Sequence, residues 1–243
     1  MCDRRSFLQI AATCLAASSS VAVAQIFPNT DQLTVKKKIT GCGISDFIGG
    51  SYSVVDSSGI SELDQGVQIE RQVLNNVFKV SPDFAFIDDK QTPQAFTEKT
   101  NDGARIFFGE TLAQNERQMN PEFWETAVIG IMAHEWAHAF QYNSGLEELK
   151  FIQECHADYM AGWYLGLKYR IVNPDGFARS LYQKPGDNRT GFFDPNNYGS
   201  PEQRVAFMMA GFKAGKTAAS GTTKPLIWDA ANEGYRAVSA IVR

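Results

Sequence analysis

The sequence predicts an α+β fold, predominantly helical, with a small β-sheet. Three observations carry this. A periodic run from Phe123 to Tyr142, with no proline and one glycine, reads as a helix. After a break at Ser144-Gly145, a second helical pattern runs from Glu147 to about Ile171 and is stopped by Asn173-Pro174. Upstream, Phe84-Ala85-Phe86-Ile87 and Arg105-Ile106-Phe107-Phe108 read as short strands, separated by a polar segment in which Asn101-Asp102-Gly103 is the turn signal.

From the start of the chain, Arg4-Arg5-Ser6-Phe7-Leu8 precedes an apolar run from Ile10 that closes with Ala22-Val23-Ala24. Residues 1–24 resemble a twin-arginine export signal, so the mature chain is expected to begin near Gln25 and to reach the periplasm. The run is short and interrupted by Ser18-Ser19-Ser20, which argues against a stable membrane span. Asp3, Arg4 and Arg5 carry +1 between them, so cleavage takes the net charge from −4 to −5. A chain that acidic is not built for nucleic acid, and Lys36-Lys37-Lys38 reads as a solvated run. Of four cysteines, Cys42 and Cys155 survive cleavage, and two cysteines make no disulfide framework.

Residues 25–60 read as a leader and the N-terminal segment of the domain, and 61–243 as a single domain. Ser61 is placed to cap a helix to about Phe78, with Val67, Leu74, Val77 and Phe78 on its buried side. Asn120-Pro121-Glu122 supplies a cap, a first-turn proline and an early acid for the helix that follows. Beyond Pro174 the chain turns irregular, with Asp, Asn, Gly and Pro clustered from Tyr182 to Gly199. Ser200-Pro201-Glu202-Gln203 is a capping box that opens a helix carrying Val205, Met208, Met209 and Phe212 as an apolar stripe. A last helix runs from about Leu226 to Val242.

The chemistry is concentrated in His134-Glu135-Trp136-Ala137-His138, inside the first long helix. Positions four apart stack on one helix face, so the two imidazoles project side by side and can share a metal. Glu135 is displaced about a third of a turn from them, within reach of a water at that metal. The second helix carries Glu154 and Asp158. An antiparallel hairpin folded about Leu146 sets Glu154 opposite His138 and Asp158 opposite His134. In that register Glu154 is the third ligand, Asp158 accepts the other ring N–H of His134, and a water completes the tetrahedron. Cys155 and His156 are rotated away from Glu154 on the same helix.

These residues carry a resemblance. HEWAHAFQ, ECHADYMAG and YGSPEQR are together similar to the HExGHxxQ, ELQADxxAG and HGSxEQR motifs of the bacterial neutral zinc metallopeptidases, a gluzincin-type, zincin-like family. The likeness covers about Phe123 to Lys213. It implies one Zn²⁺ held by His134, His138 and Glu154, Glu135 as general base, and hydrolysis of protein or peptide substrates. Trp136-Ala137, Cys155-His156 and Tyr198, the last in place of the usual His, depart from the pattern. The run at Arg105–Phe108 takes the place of the zincin rim strand that pairs with extended substrate, and on pattern alone it reads equally as a core strand. Tyr198 is either a donor to an oxyanion or a partly buried tyrosine. Arg204 pairs either with a carboxylate around the metal or at the surface. The competing functions are a catalytically inactive zincin-fold binding protein, or a zinc amidase acting on cell-wall peptide.

Overall fold

The computed structural model describes residues 42–43, 52–146, 148–182, 197–222 and 226–242. They form β1 (Cys42–Gly43), β2 (Ser53–Val55), α1 (Ser61–Phe78), β3 (Asp83–Asp88), β4 (Ala95–Thr100), β5 (Gly103–Gly109), α2 (Glu110–Met119), α3 (Trp124–Asn143), α4 (Lys150–Leu167), α5 (Asp175–Tyr182), α6 (Pro201–Ser220) and α7 (Ile227–Val242). The architecture is α+β and mostly helical, with one mixed sheet of order β1-β4-β5-β3-β2. The signal-like segment, the lysine run, the side chain of Cys42 and residues 183–196 of the irregular stretch lie outside the described residues.

Both expected strands are present, and they pair with each other in parallel, Phe84 against Ile106 and Phe86 against Phe108. The polar segment between them contains a third strand, β4, which returns antiparallel beside β5 through the Asn101-Asp102 turn, Thr100 opposite Gly103. Gly103 takes φ 144° there, a conformation open to a residue without Cβ. With β4 on one side and β3 on the other, β5 has no free edge. Its Ile106, Phe107 and Phe108 are buried, so this run is a core strand and cannot pair with substrate.

The helix ends differ from expectation more than the helix bodies do. α1 has its expected span, but Ser61 is not its cap. Ile60 occupies that position without a side-chain bond, and Asp64 ties the entry instead by accepting from Ser58 N (2.8 Å) and Ser58 Oγ (2.7 Å). Val67, Leu74 and Phe78 are buried as expected, while Val77 is half-buried. Asn120 ends α2 rather than starting the next helix, and α3 begins at Trp124 with Phe123 as an unassisted cap. The amides that open α2 are satisfied from the far end of β3, where Asp89 accepts from Thr111 N (2.7 Å) and Leu112 N (3.2 Å). α5 forms in a stretch expected to be irregular, and α4 stops at Leu167 rather than Ile171.

α3 runs through the middle of the molecule, and every residue from Trp124 to Gln141 is buried. A helix covered on all sides must find partners for each polar group it carries. Its single glycine makes room for a neighbour, because a Cβ at Gly130 would lie 2.2 Å from Phe177 Cγ. One core cluster joins Leu63 of α1, Phe108 of β5, Ile131 of α3, Met160 of α4, Phe177 of α5, Met208 of α6 and Ile227 of α7.

α4 and α6 meet backbone to backbone. A Cβ at Gly162 would lie 1.9 Å from Met208 O, and one at Gly211 1.9 Å from Tyr159 O. Gly166 and Gly215 repeat the contact one turn on, against Phe212 O and Trp163 O. The buried face of α6 is therefore Arg204, Phe207, Met208, Gly211 and Gly215. The expected stripe of Val205, Met208, Met209 and Phe212 is corrected accordingly: Met209 is exposed and only Met208 is fully buried. Val205 and Phe212 pack partly buried against the core, and the periodicity of large side chains misses Gly211 and Gly215, where the closest contact is made.

Candidate metal centre

The hairpin that builds the centre is closed by Ser144-Gly145. Gly145 takes φ 67°, its amide donates to Tyr142 O (3.3 Å), and Leu146 N donates to Gln141 O (3.0 Å). These are the two bonds of a Schellman ending, which needs a left-handed residue where glycine stands. α4 then returns alongside α3.

The return brings the carboxylates to the imidazoles. Glu154 Oε2 lies 3.5 Å from His134 Nε2, and Glu154 Oε1 lies 3.6 Å from His138 Nε2. The two Nε2 atoms are 3.0 Å apart. Asp158 Oδ1 is 2.9 Å from His134 Nδ1. Arg204 delivers Nε to Asp158 Oδ2 at 2.7 Å and Nη2 to Asp158 Oδ1 at 3.0 Å, with Nη2 also 3.2 Å from Glu154 Oε2. Lys150, one turn before Glu154, places Nζ 2.9 Å from Glu154 Oε1. All of these side chains are buried except Lys150, which is half-buried with 13% of its side chain exposed.

The charges around the three donors are mixed, with the carboxylates of Glu154 and Asp158 set against the cations of Lys150 and Arg204. Burial alone would depress His134, but Asp158 and Glu154 outweigh it and hold its pKa at about 9. For His138 burial dominates, and its pKa falls to about 3. A proton on His134 Nε2 thus faces a lone pair on His138 Nε2, and a metal ion could bind both nitrogens only with both rings neutral. Burial opposes the charge on Glu154 too, yet Lys150, His138, His134 and Arg204 keep it well below the usual carboxylate range. Neither oxygen of Glu154 accepts a directed hydrogen bond despite the cations beside it. Two imidazoles and a carboxylate whose donor atoms lie within 4.8 Å of one another can hold a metal ion.

Family models, curated proteins and solved structures were each compared with the chain, and none matches it.

Glu135 points toward the sheet rather than into solvent. Thr97 Oγ1, on β4, lies 2.7 Å from Glu135 Oε2 and 3.0 Å from Glu135 O, its one proton serving either. Tyr198 is half-buried just before α6, and Lys150 Nζ sits 4.7 Å from its ring centroid. Cys155 is a buried free thiol packed with Phe151, Ile152, Tyr159, Phe207 and Val238. His156 is buried with both ring nitrogens engaged, one by Gln141 and one by Ala231 O. Among the described residues, no other His, Cys, Asp or Glu joins the three donors as a possible metal group.

Three residues at the centre have no role in the sequence reading. Lys150 had a local signal, its spacing of four from Glu154. Gln141 had one as well, one turn beyond His138 on the same helix. Thr97 had none, because its approach to Glu135 depends on the placement of a strand that the sequence hides.

Proposed function

We propose that the protein is a zinc-dependent peptidase with a zincin-like fold, similar to the bacterial neutral zinc metallopeptidases and acting on protein or peptide substrates. The carrying observation is the convergence on one point of His134 and His138, from the helix that also bears Glu135, with Glu154 from the next helix. A zinc ion held there supplies Lewis acidity toward a substrate carbonyl and brings the pKa of water toward neutrality. Glu135, braced by Thr97, takes the proton as water attacks the carbonyl carbon and returns it to the leaving amine. Asp158, itself gripped by Arg204, stands beside His134 Nδ1 and would keep a proton there, leaving Nε2 as the nitrogen that would hold a metal. Tyr198 is a candidate donor to the developing oxyanion. Export through the twin-arginine-like segment places this activity in the periplasm.

Glu135→Gln is expected to keep zinc and lose roughly 10²–10⁴-fold of hydrolysis. Unchanged proteolysis in that variant overturns the assignment of the base. His138→Ala is expected to lose the metal, and full zinc occupancy would refute the ligand role.

The complete burial of His134, Glu135, His138 and Glu154 favours a second reading, a zinc staple in a protein that binds without cleaving. Casein, short peptides and peptidoglycan, each tested with and without a chelator, separate the readings. Chelator-sensitive cleavage of the first two supports the peptidase, cleavage of peptidoglycan alone an amidase, and loss of fold on chelation without any cleavage the staple.

A further inference from the structure

His138 holds its position through a chain of hydrogen bonds that leads away from the metal. His138 Nδ1 lies 2.8 Å from Gln141 Oε1. Gln141 Nε2 lies 2.9 Å from the backbone carbonyl of Gln153 and 2.9 Å from His156 Nδ1. His156 Nε2 lies 3.0 Å from the carbonyl of Ala231, on α7. Gln141, His138 and His156 are all buried without solvent to share.

Two backbone carbonyls, which can only accept, fix the direction of every bond in this chain. Gln153 O requires the amide nitrogen of Gln141 to face it, and that leaves Oε1 toward His138. An acceptor at that place requires a proton on His138 Nδ1. From the other end, Ala231 O requires a proton on His156 Nε2, which leaves His156 Nδ1 bare to accept from Gln141. The two ends agree. With Nδ1 protonated, a neutral His138 presents the lone pair of Nε2, the nitrogen 3.6 Å from Glu154.

We infer that Gln141 and His156 are positioning residues for the metal centre: a relay from Ala231 through His156 and Gln141 locks His138 in the tautomer whose Nε2 can ligate a cation. The inference rests on the reading of His138 as a ligand, but not on hydrolysis. It assigns the third histidine of the chain a role that its own orientation, away from the metal, conceals. It also ties the C-terminal helix, through Ala231 O, to His138 on the metal helix. On the opposite arm, Asp158 Oδ1 lies 2.9 Å from His134 Nδ1 and is itself held by Arg204.

The chain has three histidines, so ring nitrogens can be assigned by ¹⁵N NMR on the full protein without crowding. In metal-free protein at neutral pH, His156 is expected as the Nε2–H tautomer and His138 with a protonated Nδ1 and a bare Nε2. His156→Phe removes the relay while keeping an aromatic ring, and is expected to weaken zinc binding by about 10- to 100-fold against a competing chelator. His156→Gln can still accept from Gln141 and donate toward Ala231 O, and is expected to recover most of that loss. Gln141→Glu can still accept from His138 but cannot donate to His156, so the His156 tautomer is expected to change.

Finding His156 as Nδ1–H, or His138 as Nε2–H, in the wild-type spectrum overturns the inference whether or not the variants fold. Wild-type zinc affinity in a folded His156→Phe overturns it too. Should the wild-type protein bind no zinc while the tautomers are as stated, the relay stands and the reading of the centre as a zinc site fails. The two failures are thereby distinguishable.

Discussion

Two buried carboxylates, Glu70 and Glu154, make an instructive pair. Glu70, on α1, receives Lys168 Nζ at 2.8 Å on each oxygen and Tyr164 OH at 2.5 Å on one. Glu154 has more cationic charge around it, with Lys150 and Arg204 both close, yet neither oxygen accepts a directed hydrogen bond. Glu70 is a completed ion pair that joins α1 to the end of α4. Glu154 is surrounded but unsaturated, with two imidazole nitrogens on its open side. A buried charge pair is thus read by whether its lone pairs are filled, and the number of opposite charges nearby is a poor guide.

The comparison can be broken in three ways. The largest effect is expected at Glu70. Glu70→Ala leaves Lys168 buried without its carboxylate and should cost about 3–5 kcal/mol in urea denaturation. That loss should be the same with and without zinc; a zinc-dependent loss would dissolve the distinction between the two sites. Next, zinc at one hundred times its dissociation constant should stabilise the wild-type protein by about 2.7 kcal/mol and leave Glu154→Ala unmoved. Equal stabilisation of both proteins in thermal melts would place the metal elsewhere. The smallest effect concerns the arm that carries Arg204. Ser200→Ala removes the bond from Gln203 N to Ser200 Oγ while the Ser200 amide keeps its bond to Gln203 Oε1, and should cost about 1 kcal/mol. Hydrogen exchange should rise in the first turn of α6 and stay unchanged around Lys168.

The centre was largely legible because its parts are local. His134 and His138 sit one turn apart, Ser144-Gly145 spells out its own ending, and equal distances from Leu146 set Asp158 opposite His134. Ser200-Pro201-Glu202-Gln203 likewise carries its cap within itself. What the sequence hid depends on distant partners. The cap of α2 is Asp89, at the end of β3, so no motif precedes Glu110. β4 reads as polar because Glu98 and Lys99 adjoin buried Ala95, Phe96 and Thr97. α5 is eight residues long, too short for its periodicity to stand out. Thr97 reaches Glu135 only after that hidden strand is in place.

The seam between α4 and α6 sets a limit on how this protein can change. Where two backbones touch through Gly162, Gly166, Gly211 and Gly215, neither rod can roll about its axis without driving a carbonyl into its neighbour. The guanidinium of Arg204 is therefore delivered with a fixed stagger, as by a key in a slot. Drift along that line is confined to residues that add almost nothing beyond the main chain, while the outward-facing Met209 is free to vary.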